Sequence, residues 1–225
     1  MPLPMVHLAV AVTMLPELDA LEAPAFLLGN LAPDAIHMRP GWTGDDKRRV
    51  HLHLSSTDVP DGAQDAARDL ILRWREQGVV IEPLHVGYIT HVLTDLLWRA
   101  HVWLPLRRAL PEEMDYAQGR ALYYRETDEI DRQILRTAPW RDQVWRLLAE
   151  AQPADVPGMV SAKEIALWRQ RTLAWFDHLA PVTEPLRHLT IDGVLSFAED
   201  AAAQVQEWLE EWGSWPPTSW ERCAT

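Results

Sequence analysis

A chain of 225 residues, 48% apolar and 24% charged, has the balance of an ordinary globular protein and can bury one large core or at most two small ones. Its formal net charge of −12 excludes a broad nucleic-acid-binding face, which would have to be basic; a small phosphate-bearing substrate remains compatible, because divalent metal offsets acidity locally. The single cysteine, Cys223, excludes an internal disulfide and a four-cysteine metal site.

Taken in chain order, helical periodicity dominates and almost nothing alternates like a strand. Val6–Leu18 reads as a first helix stopping near Pro16. Its apolar run from Val6 to Leu15 is too short to cross a bilayer and lacks the basic flank of a signal peptide, so a cytoplasmic protein with no transmembrane segment and a retained N-terminus is expected. Phe26–Leu31 is a short apolar segment running into Ala32-Pro33-Asp34. Residues 38–49, with Pro40, Gly41, Gly44 and a cluster of charges, read as a loop. Asp61 caps a predicted helix over Ala63–Gln77, closed by Gly78. Glu82–Leu104 is the longest apolar periodic stretch and the predicted central helix. Glu112–Arg136, Arg141–Ala151, Ala162–Leu179 and Ile191–Trp212 complete the set, punctuated by Pro139, Pro153, Pro157 and Pro181. The expected fold is all-α, a single multi-helix bundle over residues 1–212 with a loosely attached tail at 213–225.

The central stretch carries the most chemistry. His91 and Asp95, four residues apart, lie on one helix face about 40° apart, so an imidazole and a carboxylate there can reach one metal, or Asp95 can bridge two. The structural alternative is that Asp95 merely fixes a partly buried His91. Other residues of ligand type stand on separate segments: His7 in the first helix, Asp34 after Pro33, His51 and His53 after the loop, and His101 at the end of the central stretch. Each has a plain reading of its own, as a satisfied core histidine, an N-cap, a polar surface strip or a capping histidine. Together they set polar groups in apolar surroundings, which is costly unless the groups are paired or hold a metal. His178 and His188 pair with nothing recognisable and read as structural.

Five pieces in order, Met5-Val6-His7-Leu8, Phe26-Leu27-Leu28-Gly29-Asn30-Leu31-Ala32-Pro33-Asp34, Val50-His51-Leu52, Gly87-Tyr88-Ile89-Thr90-His91-Val92-Leu93-Thr94-Asp95 and Tyr123-Tyr124-Arg125-Glu126-Thr127-Asp128-Glu129-Ile130-Asp131, resemble the zinc-dependent phospholipase C family, its short bacterial members above all, over residues 1–135. The resemblance implies an all-helical fold and up to three zinc ions that activate water for phosphoester hydrolysis. It matches His7, Asp34, His51, His91 and Asp95 to ligands of a zinc pair, with Asp95 bridging, and His101 and Glu126 to a third position. Three departures stand out. The histidine expected four residues before the glutamate is Leu122, no proline breaks the helix across Leu96–Ala100, and nothing suggests the processed amino terminus that secreted members use as a ligand. An unbroken helix would turn His101 about 120° away from Asp95. About two zinc ions are therefore expected.

Metal-lowered water pKa supplies a nucleophile at neutral pH, and a metal pair clamps the entering and leaving oxygens of an in-line displacement. Asp34 and Asp95 are the candidate catalytic carboxylates, Asp34 as proton acceptor; Lys47, Arg48 and Arg49 are candidate contacts to an anionic phosphate, or else a solvated charge run. The expected activity is zinc-dependent hydrolysis of a phosphoester. The alternatives are a non-catalytic helical zinc protein and a zinc hydrolase of a non-phosphate substrate.

Overall fold

Helix α1, Pro4–Met14, starts on a proline at its first turn and is apolar on nearly every side, the pattern of a helix with no solvent face. A computed structural model describes residues 3–15, 21–53, 62–175 and 185–215. Among these the chain is all-α, without strands beyond an isolated bridge between Val156 and Val160. In chain order follow α2 Ala23–Gly29, a 3₁₀ helix Ala32–Met38, α3 Gly44–Val50, α4 Asp65–Glu76 and α5 Pro83–Trp98. A π-helical turn, Arg99–Trp103, leads into α6 Leu104–Ala109, and α7 Tyr116–Thr137, α8 Arg141–Glu150, α9 Ala162–Leu173 and α10 Ile191–Glu211 complete the set. None of these helices is long and apolar enough to cross a membrane.

All sixteen residues of α5 are buried, and α2 and α10 pack against it. The approach of α2 is unusually close because glycines meet there. A Cβ on Gly29 would lie 2.3 Å from the Leu84 carbonyl oxygen, and one on Gly87 2.2 Å from that of Phe26. This contact fixes the register of α2 on α5 and so places Asn30 and the 3₁₀ segment beside His91. Arg39 then ties the end of that segment to α9, donating to Glu164 at 2.7 and 3.1 Å and to the Met159 carbonyl at 2.9 Å. At the other side of the core, α10 and α7 pack on α1, and the Met5 amide donates to the buried Asp131 carboxylate at 3.0 Å. One of the orphan donors at the start of α1 is thereby satisfied, and His7 is pinned two residues on.

Three expectations are corrected. Residues 44–50 form α3 rather than loop, because Thr43 and Asp46 make a reciprocal capping box that satisfies the first-turn amides. The central helix does not run evenly to Leu104: it widens at Arg99, where the Leu104 amide bonds the Arg99 carbonyl five residues back. Helix α1 ends at Met14 and α9 at Leu173, earlier than expected; residues 16–20 and 176–184, like Asp61, His178 and Cys223, lie outside the described residues. The start of the expected loose tail is held in place. Arg75 donates to the Trp212 and Gly213 carbonyls and to Ser214 Oγ at 3.0, 2.7 and 2.9 Å, and the Trp215 ring lies 5.7 Å from Phe26.

Candidate metal centre

Four segments converge on one point. α1 brings His7, the 3₁₀ helix Asp34, the C-cap of α3 His51, and α5 both His91 and Asp95. His7 and His91 are 1% exposed, His51 3% and Asp95 5%, so these polar groups have almost no water to solvate them. His7 Nε2 lies 3.5 Å from Asp95 Oδ1, while His51 and His91 Nε2 each lie 3.7 Å from Asp95 Oδ2. His51 Nε2 is also 3.5 Å from Asp34 Oδ1. These separations are too long for good hydrogen bonds. They match the edge of a zinc tetrahedron, which for bonds of about 2.1 Å is about 3.4 Å.

Two triads have ligand atoms all within 4.8 Å of one another: His7, His91 and Asp95, and Asp34, His51 and His91. Asp95 directs one oxygen toward His7 and the other toward His51 and His91, and His91 belongs to both triads. The far nitrogens of two imidazoles are already engaged. His91 Nδ1 lies 2.7 Å from the Asn30 carbonyl and His51 Nδ1 3.0 Å from the Lys47 carbonyl, so each ring donates outward and turns an Nε2 lone pair inward. His7 and His91 stack at 3.7 Å, 6° from parallel, which fixes both ring planes. His7 Nδ1 and Nε2, Asp34 Oδ1, His51 Nε2, His91 Nε2 and both Asp95 oxygens are buried without a hydrogen-bond partner. A cluster of orphaned lone pairs on three imidazoles and two carboxylates fits a divalent cation, and imidazole with carboxylate suits zinc.

Charge points the same way. Burial, then the neighbouring His7, holds His91 down to about 3, so it is neutral at pH 7. Burial alone would raise Asp95, but the neighbouring imidazoles of His91, His7 and His51 bring it to about 2. Asp34, also penalised by burial, is held well below the usual carboxylate range by His51 and Lys47. Two ionised carboxylates thus share a nearly dry site, and Lys47, 3.5 Å from Asp34, is the cation nearest them.

The cluster forms the floor of a cleft of about 570 Å³ that His51 and Asp95 line together with Lys47, Arg48, Arg99 and Arg120. Of the three basic residues expected at a phosphate, Lys47 sits at the floor. Arg48 lines the cleft while pairing with Asp45, and Arg49 is turned away, donating to the Gly158 carbonyl. His101 and Glu126 are not brought to the cluster. The π-helical turn leaves His101 exposed. Glu126 is buried but committed: its carboxylate accepts the backbone amides of Arg187, His188 and Leu189 at 3.1, 3.0 and 2.9 Å. The sequence reading passed over two residues at the site. His37 stands 3.8 Å from Asp34 and receives Lys47 Nζ at 3.0 Å; its spacing of three from Asp34 eclipses the two on a 3₁₀ helix. Arg99, one α-helical turn beyond Asp95, is the other.

No protein-family model, curated protein or solved structure matches the chain.

Proposed function

We propose that this protein is a metal-dependent hydrolase of phosphoesters, using two divalent ions, zinc by the chemistry of the donors, held by His7, Asp34, His51, His91 and Asp95. The observation that carries the reading is the set of buried, unpartnered nitrogens and oxygens at tetrahedral-edge separations beneath a cationic cleft. The ordered resemblance of residues 1–135 to zinc-dependent phospholipases C supports the same chemistry. When bound, such ions polarise a phosphoryl oxygen and lower the pKa of water beside it.

The chain's own residues supply the rest. Asn30 and the Lys47 carbonyl lock the imidazoles of His91 and His51 in the tautomer that faces inward. Lys47 draws the phosphoryl group toward the floor and balances its charge. Asp34, ionised at neutral pH, orients the attacking water by accepting its hydrogen bond, and His37 accepts a hydrogen bond from Lys47 beside it. Burial of α5 on both flanks keeps these groups rigid, which positioning demands.

The test is hydrolysis of bis(p-nitrophenyl) phosphate and p-nitrophenyl phosphate by protein of known metal content. Activity should vanish with chelator, return with zinc, and be lost together with most of the metal in Asp95→Asn. Stoichiometric zinc with no turnover of either ester would make this a metal-binding protein without hydrolase activity.

A further inference from the structure

The walls of the cleft above the proposed metal centre say what the rest of the substrate is. Among the described residues no aliphatic side chain lines it; apart from Gly44 and the floor, its lining is aromatic, imidazole or cationic. Trp103 stands edge-on to Tyr116 at 6.4 Å and to Tyr123 at 4.8 Å, and the Tyr123 hydroxyl is fixed by the indole N–H of the buried Trp98 at 2.7 Å. Trp42 is 38% and Tyr116 59% exposed, so both lining aromatics keep surface open to solvent beside the cavity. A lipid chain would ask for aliphatic walls, whereas flat rings with cations between them suit a planar π-system carrying negative charge.

Arg99 supplies the second observation. It follows Asp95 by four residues, so it stands one turn above that carboxylate, and its side chain lines the cleft. Its Nε is buried without any hydrogen-bond partner. A guanidinium donor withdrawn from water with nothing to receive it costs stability unless a ligand arrives to accept it. The π-helical turn that begins at Arg99 ends at Trp103, so one local widening presents the cation and the ring to the same cavity.

We infer that the substrate is a phosphoester bearing a planar aromatic group, the ring stacking on Trp103 and the phosphate held by Arg99 together with Lys47. This deepens the hydrolase reading and rests on it. The cleft volume, about 570 Å³, accommodates an aromatic group with its phosphate and falls within the range of small-molecule sites.

Non-hydrolysable phosphonates separate the parts. Calorimetric titration of the zinc-loaded full chain would compare phenylphosphonate, cyclohexylphosphonate of similar size without a π face, and inorganic phosphate. Phenylphosphonate should bind about fivefold or more tighter than cyclohexylphosphonate. Trp103→Leu should abolish that preference and Trp103→Phe restore it. Arg99→Met should weaken all three ligands by about tenfold or more, with zinc content unchanged and the melting midpoint not lowered, to show that the fold persists. Equal affinity for the phenyl and cyclohexyl ligands overturns the aromatic inference while leaving the hydrolase reading standing. Undiminished binding in Arg99→Met removes Arg99 from the phosphate site. Failure of all three ligands to bind zinc-loaded protein overturns both readings.

Discussion

Removing divalent ions with a chelator would leave His7, Asp34, His51, His91 and Asp95 facing one another with inward lone pairs that nothing answers. Each buried, unsatisfied group costs about 1–3 kcal/mol. An ion that binds only the folded chain returns stability by mass action, about 2.7 kcal/mol per site at a free concentration one hundred times its Kd. In a chain of this length 1 kcal/mol moves the melting midpoint by about 2–4 °C. One occupied site at that concentration should therefore raise the midpoint by about 5–11 °C. Every further tenfold rise in free zinc adds about 1.4 kcal/mol, or about 3–6 °C, for each ion bound. The assay is thermal denaturation followed by circular dichroism in zinc buffers spanning several decades, with residual metal measured at the chelated end. Two bound ions double the slope per decade. A midpoint that stays put between chelator and excess zinc, with metal removal verified, refutes the reasoning: the imidazoles and carboxylates would then be stable without a cation.

Other outcomes follow from single contacts. Glu126→Gln should keep the full zinc stoichiometry yet lower the midpoint by about 3–12 °C, because it weakens charge-assisted bonds to three backbone amides worth about 1.5–3 kcal/mol; loss of one bound zinc in elemental analysis would return Glu126 to the ligand set, and the same loss in His101→Ala would return His101. Gly87→Ala drives a Cβ against the Phe26 carbonyl, where backbone cannot yield, so it should cost about 1–3 kcal/mol or more and weaken zinc binding by displacing Asn30 from His91; a denaturation midpoint and zinc affinity equal to those of the parent would show that α2 and α5 have room to part. In metal-free protein, His91 and Asp95 both titrate lower when folded than when unfolded. At these two positions the unfolded chain then binds more protons, so their contribution to stability falls as pH drops, from 6.5 toward about 3 for His91 and from 3.8 toward about 2 for Asp95, while Asp131, which burial pushes up, contributes in the opposite sense. Urea denaturation across pH 7 to 4 of Asp131→Asn, free of that opposing group, checks the sign, and a rise in its stability toward acid would contradict it.

The helical class was legible because apolar spacing in α4, α5, α7 and α10 keeps the helical period, with Pro139 and Pro153 falling between elements. That polar groups of ligand type on apolar segments need partners was legible from residue type, which left His53 and His101 as equal candidates; the set of His7, Asp34, His51, His91 and Asp95 came from the ordered resemblance over residues 1–135. What failed was chemistry that only tertiary structure decides. Glu126 read as a candidate ligand, yet its partners are backbone amides more than sixty positions away. Gly44 and its charged neighbours suggested a loop, and the decisive signal, Thr43 set three residues before Asp46, was overlooked. Arg99 carried no local mark, because a cation beyond a helix's apolar stripe is ordinarily solvated. The π-helical turn that withdraws its Nε has no residue signature comparable to a proline.

That turn also makes the cleft sensitive to chain length. An α-helix becomes π-helical locally when it accommodates one residue more than its hydrogen-bond register allows, and the surplus here is absorbed between Arg99 and Trp103. Deleting one residue from this interval would let the α-helix run through. Everything upstream, including His91 and Asp95, and the helix from Leu104 onward would keep their places, because the extra residue is already taken up within the turn. Only the widening that presents Arg99 and Trp103 would be lost. In this chain a one-codon deletion thus reshapes one wall of the cleft locally, and homologues lacking that residue would carry a differently walled cleft over the same floor.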